Sequence, residues 1–360
     1  MQATAIRPMM PYSPSDFSHS PLLVFYEMTR ACNLRCVHCR ANAQPHRHPN
    51  ELNTELSRQL MRQLTDFERP PLLVLTGGDP FKRPDLFELV AYARSLGLTV
   101  ALSPSATPLV TDQAIENLWR VGVHRMAMSL DGADAATHDG FRRVPGSFER
   151  TLRIIAKARS VGLPIQVNTT IARHNVEQVD AIADLLDGLD IELWSVFFLV
   201  PTGRALAEQR ISPSQYEAVF EKLLKNSLSR SYIVKTTEAP HYRRFVSMKA
   251  GGAPKLTGRL VGTNDGMGVM FVSHVGEIFP SGFLPLHCGT FPQDSVVDVY
   301  RNHRIFRTLR DHDLLRGKCG RCEFRQICGG SRARAYALSG DPMAAEPDCT
   351  YLPAGTQSIN

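Results

Sequence analysis

No stretch of this 360-residue chain is apolar for long enough to cross a bilayer. A spanning helix needs about 20 such residues, and runs such as Val196 to Val200 stop far short. The first twenty residues hold three prolines and lack the apolar core of a secretory signal, so the expected location is the cytoplasm. A long Lys/Arg stripe is also missing. The net charge of +6 would suit an anionic substrate but is no nucleic-acid footprint. Cysteine is absent between Cys39 and Cys288, and the eight thiols fall into an early group and a late one. A disulfide framework would scatter them and would need an oxidising compartment, so clustering points to metal–sulfur chemistry in a reducing one. No internal repeat is visible beyond an alternation of strands and helices.

What is present centres on Arg30 to Arg40, where Cys32, Cys36 and Cys39 are spaced C-x3-C-x2-C just after the apolar run Leu22 to Met28. Thiolates select iron–sulfur clusters or zinc. Three thiolates can hold three corners of a [4Fe–4S] cube and leave the fourth iron open to a substrate or cofactor. The other readings are a zinc knuckle completed by His38, or three unrelated buried thiols.

Short continuous apolar runs alternate with amphipathic stretches from there to about residue 200. Strands are expected at 22–28, 72–75, 98–102, 125–130, 165–170 and 192–199. Helices are expected at 54–67, 84–96, 112–121, 148–161, 176–186 and 212–228. That pattern means parallel strands covered by helices, about six βα units in all. A flat doubly wound sheet and a barrel both satisfy it. Loops at the carboxyl ends of such strands are where ligands bind. They carry Thr76-Gly77-Gly78-Asp79-Pro80, Ser103-Pro104-Ser105, Ser129-Leu130-Asp131, and Asn168 with Thr170. Local backbone capping is the plain alternative for these polar residues.

The late group places Cys319, Cys322 and Cys328 as C-x2-C-x5-C, with Cys349 beyond. On spacing alone this quartet reads as a zinc ribbon. The residues around it, Gly317, Lys318, Gly320 and Arg321, are expected to favour thiolate and to supply N–H donors to sulfur. A hairpin is expected over 269–279. The chain thus divides into an irregular lead-in (1–20), an α/β unit (21–228), a loop-rich bridge (229–268), a cysteine-rich domain (269–350) and a tail (351–360).

The triplet and the loops after the strands resemble the radical S-adenosylmethionine (SAM) superfamily, with His38 in a position usually held by an aromatic residue. The resemblance implies an incomplete, open (β/α)6 barrel. It also implies a [4Fe–4S] cluster on Cys32, Cys36 and Cys39, SAM chelated to the free iron, and hydrogen abstraction after reductive cleavage of SAM. An electron donor such as a flavodoxin or ferredoxin follows as partner, with no nucleic acid or membrane. By the same resemblance Gly77, Gly78 and Asp79 meet the SAM amino group, Asp79 replacing the usual glutamate. Ser103, Ser105, Ser129, Asp131 and Asn168 meet its carboxylate and ribose.

The late quartet, downstream of such a barrel, resembles the SPASM auxiliary-cluster domain. Ser281 and Arg332 stand where an inner cluster's cysteines would fall. The resemblance therefore implies one auxiliary [4Fe–4S] cluster on Cys319, Cys322, Cys328 and Cys349, with Cys288 left over. The run Cys328 to Tyr336 is similar to the tail of haem d1 maturases and iron-coproporphyrin decarboxylases, which implies a tetrapyrrole or other small carboxylate substrate. Cations expected to meet it are Arg142, Arg204, Arg243, Arg244 and the 251–259 segment. The alternatives are a maturase of ribosomally made peptides and a non-enzymatic metal-binding or regulatory protein. A peptide maturase often has an added winged-helix domain, which the twenty residues before the first strand do not provide.

Overall fold

The computed structural model describes residues 14–251 and 262–354. After a short 3-10 turn at Pro14–Ser18 come β1 (Leu23–Glu27), α1 (Thr54–Leu64), β2 (Leu72–Thr76), α2 (Leu86–Ser95), β3 (Thr99–Leu102) and α3 (Asp112–Arg120). Then follow β4 (Arg125–Ser129), α4 (Ala135–Arg142), α5 (Ser147–Ser160), β5 (Ile165–Ile171), α6 (Val179–Asp187) and β6 (Leu193–Phe198). Caps written in the sequence start several of these helices. Asn53 receives the Leu56 amide, Thr111 the Ala114 amide, and Asp134 the Thr137 amide.

The chain then runs into α7 (Pro213–Ser229), β7 (Ile233–Thr237), α8 (His241–Lys249), β8 (Val269–Val272), β9 (Glu277–Phe279) and β10 (Gly289–Thr290). Four helices close it: α9 (Val296–Asn302), α10 (Arg304–Arg310), α11 (Gly317–Gly320) and α12 (Arg332–Ser339).

The strands form one sheet in the order β10-β9-β8-β1-β2-β3-β4-β5-β6-β7. Every neighbour from β8 through β7 is parallel, while β8-β9 and β9-β10 are antiparallel. The core is thus an α/β barrel-type sheet with interleaved helices, followed by a cysteine-rich extension. One expectation needs correction. The 229–268 segment is not only a bridge, because its described part carries β7 and α8. The 269–279 hairpin forms as β8 and β9, but β8 also extends the barrel by pairing with β1. The His138–Arg143 segment, for which no helix was expected, lies mostly in α4.

Side chains alternate across the strands. Val24, Tyr26, Leu73, Leu75, Val100, Leu102, Met126, Met128, Val167 and Val196 pack outward into the main core under the helices. The opposite, inner face is more polar. Along the ladders Ser129 stands beside Asn168, Asn168 beside Ser195, and Ser195 beside Lys235. These four make one row across β4 to β7.

Candidate functional site

The loop leaving β1 brings Cys32, Cys36 and Cys39 into one cluster with Leu34 and Ala43, with Val144 packed against it. Its thiols are met by specific groups. The Leu34 amide donates to Cys32 Sγ at 3.3 Å, and Ser105 Oγ lies 3.3 Å from the same sulfur. The Ala43 amide donates to Cys39 Sγ at 3.4 Å, and Arg142 Nη1 to Cys36 Sγ at 3.6 Å. Burial pushes the Cys36 thiol up, and the Arg142 cation pulls the other way. Coordination to iron would deprotonate such a thiol outright.

His38 stacks on Phe141 at 4.0 Å, and Phe141 on His174 at 3.8 Å. Burial, reinforced by Arg142, pushes His38 down to about 3. It therefore fills its position as a flat neutral ring. Among the described residues no three Cys, His, Asp or Glu side chains converge as a single metal ion requires.

The Gly77-Gly78-Asp79 turn packs on the backbone of the cysteine loop. A Cβ on Gly78 would lie 2.4 Å from the Ala31 carbonyl oxygen, and one on Gly77 2.4 Å from that of Thr29. The Gly78 amide donates to Thr29 O at 2.8 Å and the Asp79 amide to Ala31 O at 2.7 Å. The paired glycines thus let two loops of this chain approach closely. Asp79 is fully buried. It receives Thr107 Oγ1 at 2.7 Å and the Phe81 amide at 3.2 Å. It ties the β2 and β3 loops together. Ser105 donates to Gly78 O at 2.8 Å, and the Ser103 amide to Leu75 O at 2.9 Å.

A small cavity beside the triplet is lined by Leu34, Ser105, Ser129, His138, Arg142 and Thr151. Asp131, fully buried, pairs with Arg142 and receives the Thr170 amide. Desolvation alone would raise its pKa, but Arg142 leads the charges that hold it below the usual carboxylate range. Asn168 sits on the inner face, its Oδ1 receiving Gln166 Nε2 at 2.7 Å. Ser105 and Ser129 thus share the cavity, whereas Asp79 and Asp131 are committed to partners of their own.

Two clamps on the triplet went unread. The Val37 amide donates to Phe141 O at 3.1 Å. Arg204 donates to Cys36 O and Ala43 O, both at 3.0 Å. The arginines expected to meet a substrate are likewise engaged elsewhere. Arg142 and Arg204 serve the cysteine loop. Arg243 donates to Ile327 O, Thr263 O and Cys328 O, and Arg244 pairs with Glu217. Of the 251–259 segment, only Gly251 lies within the described residues. The inner-face cation is instead Lys235 on β7. Its side chain is exposed, and no carboxylate among the described residues forms an ion pair with it.

The late cysteines also converge. Cys319, Cys322, Cys328 and Cys349 line a single cavity, with Arg244 and Lys318 at its wall. Four thiols around a hollow, rather than meeting at one point, suit a cluster better than one zinc ion. The expected N–H donors are not those flanking Cys319. The Glu346 amide donates to Cys319 Sγ at 3.3 Å, the Gly330 amide to Cys328 Sγ at 3.4 Å, and Arg244 Nη2 to Cys349 Sγ at 3.9 Å. Gly330 must be glycine. Its φ is +63° and a Cβ there would lie 2.5 Å from Arg332 Nη2.

Ser281 and Arg332 sit in a polar plug. Ser281 donates to Asp265, which also receives the Ala333 amide at 2.9 Å. Arg332 donates to the carbonyls of Gly330, Pro342 and Ala344. Cys288 packs in the main core, its thiol donating to Leu286 O at 3.2 Å. It lines neither cavity.

The Radical SAM superfamily profile matches residues 26–186. An AdoMet-dependent heme synthase of Methanosarcina barkeri is 38% identical, covering 93% of this chain and 98% of the relative. Another protein of that name, from Nitratidesulfovibrio vulgaris, is 39% identical over 95% of this chain and 96% of its own. Among solved structures, Streptococcus suis SuiB bound to the precursor peptide SuiA superposes with a TM-score of 0.75. The identity is 16%, covering 92% of this chain and 76% of that one. That likeness is one of fold.

Proposed function

Because the chain belongs to the radical SAM superfamily, in its SPASM branch, we propose that it modifies a carboxylate-bearing tetrapyrrole on the way to a haem-type product. It is a radical SAM/SPASM enzyme related to AdoMet-dependent tetrapyrrole-modifying enzymes. The observation that carries the substrate reading is the 38–39% identity, over nearly the whole length, to proteins named for AdoMet-dependent haem synthesis.

The superfamily architecture implies a SAM-binding [4Fe–4S] cluster and a SPASM-type auxiliary cluster. We assign the first to Cys32, Cys36 and Cys39 and the second to Cys319, Cys322, Cys328 and Cys349. The grouping of each set supports this. The chemistry the first cluster would supply, when held by these three thiolates, is one-electron reductive cleavage of SAM.

This chain's own residues hold and shield the reactants. Ser105 and Ser129 face the space where SAM would lie, and Asn168 continues the same row. Asp79 and Asp131 fix the loops from behind. Arg142 balances charge at Cys36. Beyond Asn168, Lys235 offers an unpaired cation level with Ser129, suited to a substrate carboxylate. Phe197 and Phe283, with ring centroids 6.2 Å apart, and Phe271 beneath Arg40 supply aromatic surface for a flat macrocycle. The electron donor is a flavodoxin- or ferredoxin-type protein, and the site of action is the cytoplasm. No described helix is long and apolar enough to cross a membrane.

The test is anaerobic turnover with SAM, a strong reductant and a panel of tetrapyrrole carboxylates including iron-coproporphyrin. Expected are 5′-deoxyadenosine and loss of a substrate carboxyl group by mass spectrometry. Lys235→Met should raise the substrate KM, and Lys235→Arg should restore it. Turnover of a peptide substrate with no response to any tetrapyrrole would reverse the assignment.

A further inference from the structure

One wall of the late cysteine cavity is neither thiol nor cation. His241 opens α8 and is fully buried. It borders the cavity that Cys319, Cys322, Cys328 and Cys349 line. Tyr216 and Phe220 hold its ring from the other side, at centroid distances of 5.1 Å and 4.9 Å. Neither Nδ1 nor Nε2 has a hydrogen-bond partner among the described residues. A buried imidazole N–H without an acceptor is costly, and native structures rarely keep one without a reason. Burial pushes its pKa down to about 3. Glu346 opposes this, while Arg334, Arg244 and Lys318 reinforce it. In either charge state the ring keeps at least one N–H to give.

We propose that His241 donates this N–H to a sulfur of the auxiliary cluster, positioning its reduction potential without ligating iron. The proposal rests on the reading of the quartet as a [4Fe–4S] site. Four thiolates already fill the four corners of a cube, so a nitrogen ligand would have to displace one of them. Reduction adds one electron from the external donor and no proton leaves the ring. The added negative charge strengthens an N–H···S bond, so the donor favours the reduced form and raises the potential. Tyr216 and Phe220 meet the ring without accepting its N–H.

The experiment uses the full chain carrying Cys32→Ala, Cys36→Ala and Cys39→Ala, so that only the late site holds iron. After anaerobic reconstitution its midpoint potential is read by EPR-monitored redox titration. In that background His241→Phe should keep the iron. It should shift the oxidised-to-reduced ratio at fixed potential about tenfold toward oxidised, a fall of ~59 mV for one electron. His241→Gln retains an N–H donor and should recover most of the shift. Pulsed EPR of the unsubstituted His241 protein should show weak nitrogen coupling, as from a hydrogen bond, and this holds even where His241→Phe fails to fold. An unchanged midpoint in His241→Phe, or strong coupling from a coordinated nitrogen, overturns the proposal. Failure of the background protein to bind any cluster would overturn the quartet assignment itself, and His241's role with it.

Discussion

At the scale of single residues, the pairing of Asp131 with Arg142 shows how one contact serves two purposes. Arg142 neutralises a fully buried carboxylate and donates to Cys36 Sγ. Removing one partner of a buried pair leaves the other charge stranded. Arg142→Ala should therefore cost about 3–5 kcal/mol, read as a lower denaturant midpoint of the iron-free protein. A midpoint equal to that of the parent would show the pair to be dispensable. Because the Asp131 pKa is depressed when folded, its contribution is present at neutral pH and is lost only as pH falls through the acid range.

Glu238 behaves in the opposite sense. It follows β7 with a left-handed φ of +58° and accepts a hydrogen bond from Ser331. Desolvation and the neighbouring Asp265 raise its pKa to about 8, Glu346 adds, and Arg334 and Ser331 oppose. A carboxyl whose folded pKa exceeds its unfolded one contributes stability below about pH 4.5 and loses it as pH rises toward 8. The melting temperature should fall between pH 5 and pH 8, and Glu238→Gln should flatten that slope. An equally steep slope in the variant would shift the effect to Asp265, whose pKa is also raised. The sequence does not show this, because Glu238, Asp265 and Ser331 are far apart along the chain and only the fold brings them together.

At the scale of elements, the six strands read from 22 to 199 were legible because buried parallel strands are short, continuous apolar runs. β7 was not. Its sequence, Ile-Val-Lys-Thr-Thr, is half polar, with Ile233 and Lys235 exposed. An edge strand facing an open interior needs no apolar alternation. α4 escaped for a related reason, since only His138 and Phe141 of its eight residues are buried. The cysteine triplet was legible from spacing, but its supports were not. Arg204 is 168 residues from Cys36, whose carbonyl it holds. The Gly-Gly-Asp turn stood out in the sequence, and in the fold its glycines dock the cysteine loop. Gly78→Ala would press a methyl into the Ala31 carbonyl and so separate the β2 loop from the cysteine loop. The expected outcome is a reconstituted protein lacking about half its iron, the late site being kept. Full iron in this variant would contradict the docking role.

At the scale of the whole molecule, the two cysteine groups differ in how deeply they are tied into the fold. The triplet sits on a loop braced from α4 and from the segment after β6. The quartet binds distant parts together. Asp348 pairs with Arg210, and Arg334 with the buried Glu346 while lying over the Tyr216 ring at 5.1 Å. Arg243 of α8 holds the carbonyls of Ile327 and Cys328, and Lys318 holds that of Cys349. These contacts join α7 and α8 to the extension around the late cavity. A cofactor that binds only the folded arrangement stabilises everything that arrangement organises. Emptying the late site should therefore loosen the packing of α7 and α8, whereas emptying the triplet should relax a loop. In reconstituted protein, Cys328→Ala should lower the melting temperature more than Cys39→Ala. Hydrogen exchange should rise along α7 and α8 only in the first. If Cys39→Ala proved the more destabilising, the triplet loop rather than the late site would be what couples cofactor binding to the fold.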